Sequence, residues 1–133
     1  MSLKIAQRPS QIADCVAEYV KEGNLEGVVS MFHPQVQMFF PATEPPKIGK
    51  DAVREVFAPF CAMKPTLISN VISEVVNGDT ALLMAKWRIE HDDKNILSEG
   101  ESVEVAKKMD HGDGGWVYFI DCPNGPPTLS GNE

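Results

Sequence analysis

The chain has no run of basic residues. Its 12 Lys and Arg are scattered and outnumbered by 19 Asp and Glu, for a formal charge of −7. A nucleic-acid binder concentrates Lys and Arg on one face, and an anionic membrane surface asks for the same, so neither partner is expected. No apolar stretch approaches the ~20 residues that span a bilayer, and the start Met1-Ser2-Leu3-Lys4 opens no apolar leader segment. Cysteine is scarce and odd in number: Cys15, Cys61 and Cys122 stand far apart, with no Cys-x-x-Cys. This usage reads as reduced, buried thiols in a cytoplasmic protein. A nucleophilic Cys needs a positioned base, and the spacing pairs none of His33, His91 or His111 with one. His91, His111, Asp92, Asp93 and Asp113 fall in turns without zinc or calcium spacing, so no metal and no cofactor are expected. There is no internal repeat.

What is present is ordinary for a globular domain: 133 residues, 43% hydrophobic and 23% charged, long enough for one domain with its own core. That domain is expected over 1–125, with a flexible Pro/Gly/Ser-rich tail at 126–133. Pro9 suits a first helical turn, and Ile12, Cys15, Val16, Tyr19 and Val20 recur at i, i+3, i+4, i+7 and i+8, the apolar stripe of a helix. Gly23 ends it, and Asn24 caps a second helix over 25–32 that His33-Pro34 closes. Val36 to Phe40 reads as a short strand, 41–49 as a Pro-rich loop, and Lys50 to Met63 as a third helix with Val53, Val56, Phe57, Phe60 and Cys61 on one face. Strand patterns follow over 66–76, 80–91, 96–110 and 116–121. They are separated by Asn77-Gly78-Asp79, Asp92-Asp93-Lys94-Asn95 and Gly112-Asp113-Gly114-Gly115, which have hairpin chemistry and predict an antiparallel meander.

The predicted fold class is therefore α+β: three N-terminal helices packed in a curved antiparallel sheet, in the order α-α-β-α-β-β-β-β. That order resembles the cone-shaped fold of the nuclear-transport-factor-two-like superfamily, which includes ketosteroid isomerases and SnoaL-like polyketide cyclases. Tyr19-Val20-Lys21-Glu22-Gly23-Asn24-Leu25-Glu26-Gly27-Val28-Val29 is similar to the family's first helical hairpin, and Ile48-Gly49-Lys50-Asp51-Ala52-Val53-Arg54 to its third-helix entrance. The run from Gly114 to Gly125 resembles an uncharacterised SnoaL-like subfamily, the SgcJ/EcaC type. The superfamily is functionally diverse, so the resemblance speaks to fold more than to activity.

A ketosteroid isomerase uses a carboxylate base with an oxyanion hole of a Tyr and a protonated Asp. Laid on that pattern, Tyr19 matches the tyrosine, but Phe40 stands where the base would be and Val105 near the oxyanion acid. A steroid isomerase of that mechanism is thus not expected. Tyr19 reads either as a core residue of the first helix or as a donor into a pocket. Met38 and Phe40 share one face of their strand and Phe39 the other; one set lines the interior.

Two faces compete on 80–91: Leu83, Ala85, Trp87 and Ile89, or Leu82, Met84, Lys86, Arg88 and Glu90. Either the first is buried and the charges lie in water, or Met84, Lys86 and Arg88 point into the cone to meet an anionic ligand group. In the second case the apolar face forms a sheet-to-sheet dimer contact. On 98–110, Glu99, Glu101, Val103, Val105 and Lys107 share one face, and Ser102, Glu104 and Ala106 the other. Glu101 is an acid/base candidate if its face is internal, and otherwise a solvated cross-strand partner. On the last strand Trp116, Tyr118 and Ile120 alternate with Val117, Phe119 and Asp121. Asp121 is either a residue of the cavity mouth or a turn cap.

The functional expectation is a protein that binds a small, largely apolar molecule, a carbonyl compound among the options, in the cone. Phe32, Met38, Phe40, Phe57, Phe60, Met84, Lys86, Trp87, Arg88, Val105 and Ile120 are the candidate ligand residues. If it is an enzyme, the chemistry is cofactor-free acid/base work of isomerase, cyclase or hydratase type, with Tyr19 as donor and Asp121 or Glu101 as base. A carboxylate facing the cavity is the requirement for that reading. The rivals are a non-catalytic binding module and a protein-interaction module whose cone is filled by its own aromatics, marked by a cavity well below the ~300 Å³ usual for ligand sites. A homodimer through the sheet is expected in addition.

Overall fold

The computed structural model describes residues 5–109 and 115–128. The lead-in before Ile5, the turn through His111 and Asp113, and the tail beyond Thr128 lie outside the described residues. A single 3₁₀ turn at Pro9–Gln11 leads into α1 (Ile12–Glu22), whose stripe Ile12, Cys15, Val16, Tyr19 and Val20 is buried as its periodicity requires. The Asn24 side chain accepts from the Gly27 amide at 2.9 Å and starts α2 (Leu25–Ser30). The two helices meet so closely that a Cβ on Gly27 would lie 2.2 Å from Cδ1 of Tyr19, so only glycine fits there.

β1 (Phe32–Met38) begins earlier than the predicted 36–40. The preference of a pre-proline residue for extended backbone, which ends the helix, also starts the strand at Phe32-His33. After β2 (Lys47–Ile48) comes α3 (Lys50–Met63), on its predicted bounds. Four long strands follow: β3 (Thr66–Asn77), β4 (Thr80–Glu90), β5 (Ile96–Lys108) and β6 (Trp116–Cys122). With β1 and β2 they form one six-stranded sheet in the order β2-β1-β6-β5-β4-β3. β3 to β6 are the expected antiparallel meander, and β1 closes the sheet parallel to β6. The curved sheet cups the helices: α1 packs on β3 and α3 on β1.

The concave face is settled by burial. Ala81, Leu83, Ala85 and Ile89 of β4 and Ser102, Glu104 and Ala106 of β5 are buried. Leu82, Met84, Lys86 and Arg88 are exposed on the convex side. Small side chains at 81, 85, 102 and 106 leave room for the helices, whereas Lys86 and Arg88 keep their charge in water. The expectation that Met84, Lys86 and Arg88 line the cone is therefore corrected, and with it the acid/base placement of Glu101, which is exposed and directly opposes Lys86.

β6 carries a bulge. Val105 opposes Ile120 and Ala106 opposes Tyr118, so Phe119 is extra. The extra residue reverses the alternation: Tyr118 and Asp121 both face inward, and Ile120 turns outward beside Val105. Neither Ile120 nor Val105 lines the cavity, contrary to expectation.

Candidate functional site: a cavity with two opposed carboxyls

The hollow of the cone holds a cavity of about 100 Å³, open at one end. Each surrounding element contributes a wall. β1 and the segment after it supply Phe32, Met38 and Phe40, and α3 supplies Val56, Phe57 and Phe60. Rings of Phe32, Phe57 and Phe60 pack in sequence, with centroids 5.8 Å and 6.2 Å apart. Across the cavity Trp87 stands on β4. Its indole Nε1 donates to the Pro123 carbonyl at 2.7 Å, which ties the ring to the segment after β6. Gly100, opposite Trp87 in register, permits this closure: a Cβ there would meet the Asn124 side chain at 2.5 Å and the Trp87 ring at 3.1 Å.

The polar chemistry comes from β5 and β6. Glu104 and Asp121 are directly opposed across these strands and both face the cavity, at 8% and 7% exposure. Directly opposed residues carry Cβ atoms roughly 5 Å apart, so the two acids share one small space. Burial raises both pKa values. It pushes Glu104 to about 7, against a small downward pull from the Ser102 hydroxyl, and holds Asp121 well above the carboxylate range, with the Glu104 charge adding to the rise. Two like charges this close do not readily ionise together, so near neutral pH the pair keeps at least one proton. Tyr118 is buried beside them, its phenol raised by desolvation and then by the charges of Glu104 and Asp121. Ser69, Ser98 and Ser102 are the other polar walls, and no Lys, Arg or His lines the cavity among the described residues.

Of the residues singled out from the sequence, Phe32, Met38, Phe40, Phe57, Phe60, Trp87 and Asp121 are brought together here. Tyr19 is not. It is 2% exposed in the core beneath α2, away from the cavity wall, so it cannot donate to a ligand there. The buried acid of β5 is Glu104 rather than Glu101. Its signal was present in the alternation of Ser102, Glu104 and Ala106, a carboxylate between small residues, but the valines at 103 and 105 made the opposite face look like the core.

The sequence signature of the SnoaL-like domain matches residues 13–119. The chain belongs to the SnoaL-like domain family. No curated protein matches it in sequence. Among solved structures it is similar to a Mycobacterium tuberculosis protein of unknown function, with 17% identity, 91% of this chain and 76% of that one covered, and a TM-score of 0.74. A putative scytalone dehydratase from Novosphingobium aromaticivorans shares 13% identity over 85% of this chain and 78% of its own, at TM-score 0.68. A ketosteroid isomerase-like protein from Erwinia carotovora atroseptica shares 13% identity over 85% of this chain and 89% of its own, at TM-score 0.65. These likenesses establish the nuclear-transport-factor-two-like cone and no particular reaction.

Proposed function

We propose that this SnoaL-like protein binds a small, largely apolar molecule in its cone and performs cofactor-free acid/base chemistry on it. The observation that carries the reading is the opposed Glu104–Asp121 pair. A cone that merely filled itself would have no use for two carboxyls at the same buried point, where each costs free energy to ionise. The deeper Asp121 keeps the proton and donates it to a developing oxyanion or leaving hydroxyl; Glu104, titrating near neutrality, takes a proton from carbon or water. Isomerisation, dehydration and aldol-type cyclisation all need this pair of roles. The fold neighbours named for a dehydratase and an isomerase-like protein support the same class of chemistry.

The reading is tested by following exchange of carbon-bound protons of small ketones and hydroxyketones in deuterated buffer. Positioned acid/base groups contribute about 10²- to 10⁴-fold, so Glu104→Gln and Asp121→Asn should each lower the rate by that order. Exchange no faster than in buffer alone for all such compounds refutes catalysis. The alternative, a non-catalytic binding or protein-interaction module, is favoured by one fact: the aromatics fill much of the cone, and about 100 Å³ is below the usual size of a ligand site. A cavity of roughly 150 Å³ accommodates benzene, so a one-ring ligand here must extend in part through the open end.

Three further features belong to the proposal. The convex face presents the row Val75, Leu82, Val105 and Ile120, directly opposed across four strands. Beside it, cations on β4 (Lys86, Arg88) oppose acids on β5 (Glu101, Glu99), a pattern complementary to itself under a two-fold rotation. A homodimer through the sheet follows. Cys15, Cys61 and Cys122, all buried and none in a disulfide, support a reducing, cytoplasmic setting. The Gly114–Gly125 run supports placement in the SgcJ/EcaC-type subfamily.

A further inference from the structure

We infer that the ligand of this cavity carries a basic nitrogen: a small aromatic or alkyl amine, bound as its ammonium form between the Glu104–Asp121 carboxyls and the facing aromatic wall. The inference rests on the preceding reading that this pair faces the ligand.

The charge inventory comes first. The titratable groups facing the cavity are Glu104 on β5 with Asp121 and Tyr118 on β6, and each becomes an anion when it loses its proton. From α1, Asp14 and Cys15 act on Tyr118 with the same sign. α3, β1, β3 and β4 present only apolar, serine and indole groups to the cavity. The nearby cations are engaged elsewhere: Lys86 and Arg88 lie on the convex face, and Lys107 contacts Asp79 and Thr80. Among the described residues no cationic donor for a carboxylate or phosphate lines the cavity, and the indole N–H of Trp87 is already taken by Pro123. An anionic ligand would find no opposite charge there and would be repelled once Glu104 ionises.

A cation meets the reverse. It lets Glu104 ionise while Asp121 keeps its proton, and the Phe57, Phe60 and Trp87 rings that line the cavity are of the kind that attracts ammonium groups. Serine hydroxyls at 69, 98 and 102 accept its remaining N–H bonds. An opposite charge at contact lowers a carboxyl pKa by about one to three pH units. By linkage the same factor, about 10- to 1000-fold, separates the affinity of the cation for ionised Glu104 from that for protonated Glu104. Binding must then release the proton that Glu104 carries.

Three probes with one ring and different charge test this on the intact protein by calorimetry: benzylamine, benzyl alcohol and benzoate. Benzylamine should bind at least about 10-fold more tightly than benzyl alcohol, and benzoate should not bind. Benzylamine affinity should rise from pH 6 to pH 8, with a heat that depends on buffer ionisation because a proton leaves. Glu104→Gln should weaken benzylamine by about 10-fold or more, and by a clearly larger factor than benzyl alcohol. Asp121→Asn, read the same way, serves if the Gln variant does not fold. Benzyl alcohol or benzoate binding as tightly as benzylamine overturns the inference. If benzyl alcohol binds without an amine preference and Glu104→Gln weakens it, the acid/base site stands and only the amine is refuted. Binding of none of the three at millimolar concentration overturns both.

Discussion

Replacing Glu104 by Gln should make the protein more stable in mild alkali. Glu104 is a carboxyl whose folded-state pKa is raised from 4.5 to about 7, chiefly by burial. A raised acid binds its proton more tightly in the folded chain than in the unfolded one. Its contribution to stability is therefore fully present below pH ~4.5, is lost as pH rises through about 7, and stays lost above. At about 1.4 kcal/mol per pH unit, the rise from 4.5 to about 7 corresponds to a loss on the order of 3 kcal/mol between pH 4.5 and pH 8. Gln keeps the shape and cannot ionise, so this part of the decline disappears. The neighbouring Asp121 is also relieved of the Glu104 charge that helps to raise it. Urea unfolding of both proteins at pH 5 and pH 8 reads the effect, since the titrating groups other than Glu104 and Asp121 contribute nearly equally to both and cancel. The wild type should lose about 2.5 kcal/mol more than the variant on going from pH 5 to pH 8, and more still through the relief of Asp121. An equal loss in both proteins would refute the argument, because Glu104 would then be ionising freely, as a solvated carboxylate does.

Gly27→Ala should lower unfolding free energy by about 1–3 kcal/mol in urea titration, because the new methyl lies 2.2 Å from a carbon of the rigid Tyr19 ring; no loss would mean that α1 and α2 do not pack as described. Trp87→Phe removes the 2.7 Å bond to Pro123 and should cost about 1 kcal/mol by the same measurement, while an unchanged midpoint would show that the indole N–H is not bound there. Leu82→Glu places a charge in the convex apolar row and should convert a dimer to a monomer in sedimentation without altering the far-ultraviolet spectrum; a wild-type protein that sediments as a monomer would refute the sheet-to-sheet dimer.

The fold was legible because its punctuation is local. Gly23-Asn24 separates two helices, and Lys50–Met63 shows an apolar face bounded by Gly49 and Pro65. Asn77-Gly78-Asp79 marks a hairpin, so alternation could be read from Thr80 onward. Alternation alone could not say which face is internal, since β4 and β5 carry apolar residues on both sides. The convex valines and leucines imitate a core, and Glu104 was hidden among the residues on the truly buried side. The bulge at Phe119 has no glycine to announce it, and it moves Asp121 inward and Ile120 outward. Tyr19 lies on the apolar stripe of α1, where a core residue and a pocket donor have the same periodicity; the close approach of Gly27 decides it.

The most direct test of the central claim, that the cavity holds two interacting acids with raised pKa values, is a carbon-13 NMR titration of the side-chain carboxyls, assigned with Glu104→Gln and Asp121→Asn. The account predicts that Glu104 titrates at about 7 and that Asp121 titrates well above the carboxylate range, each altered when the other is removed. Two independent titrations near pH 4, unaffected by removal of the partner, would contradict it.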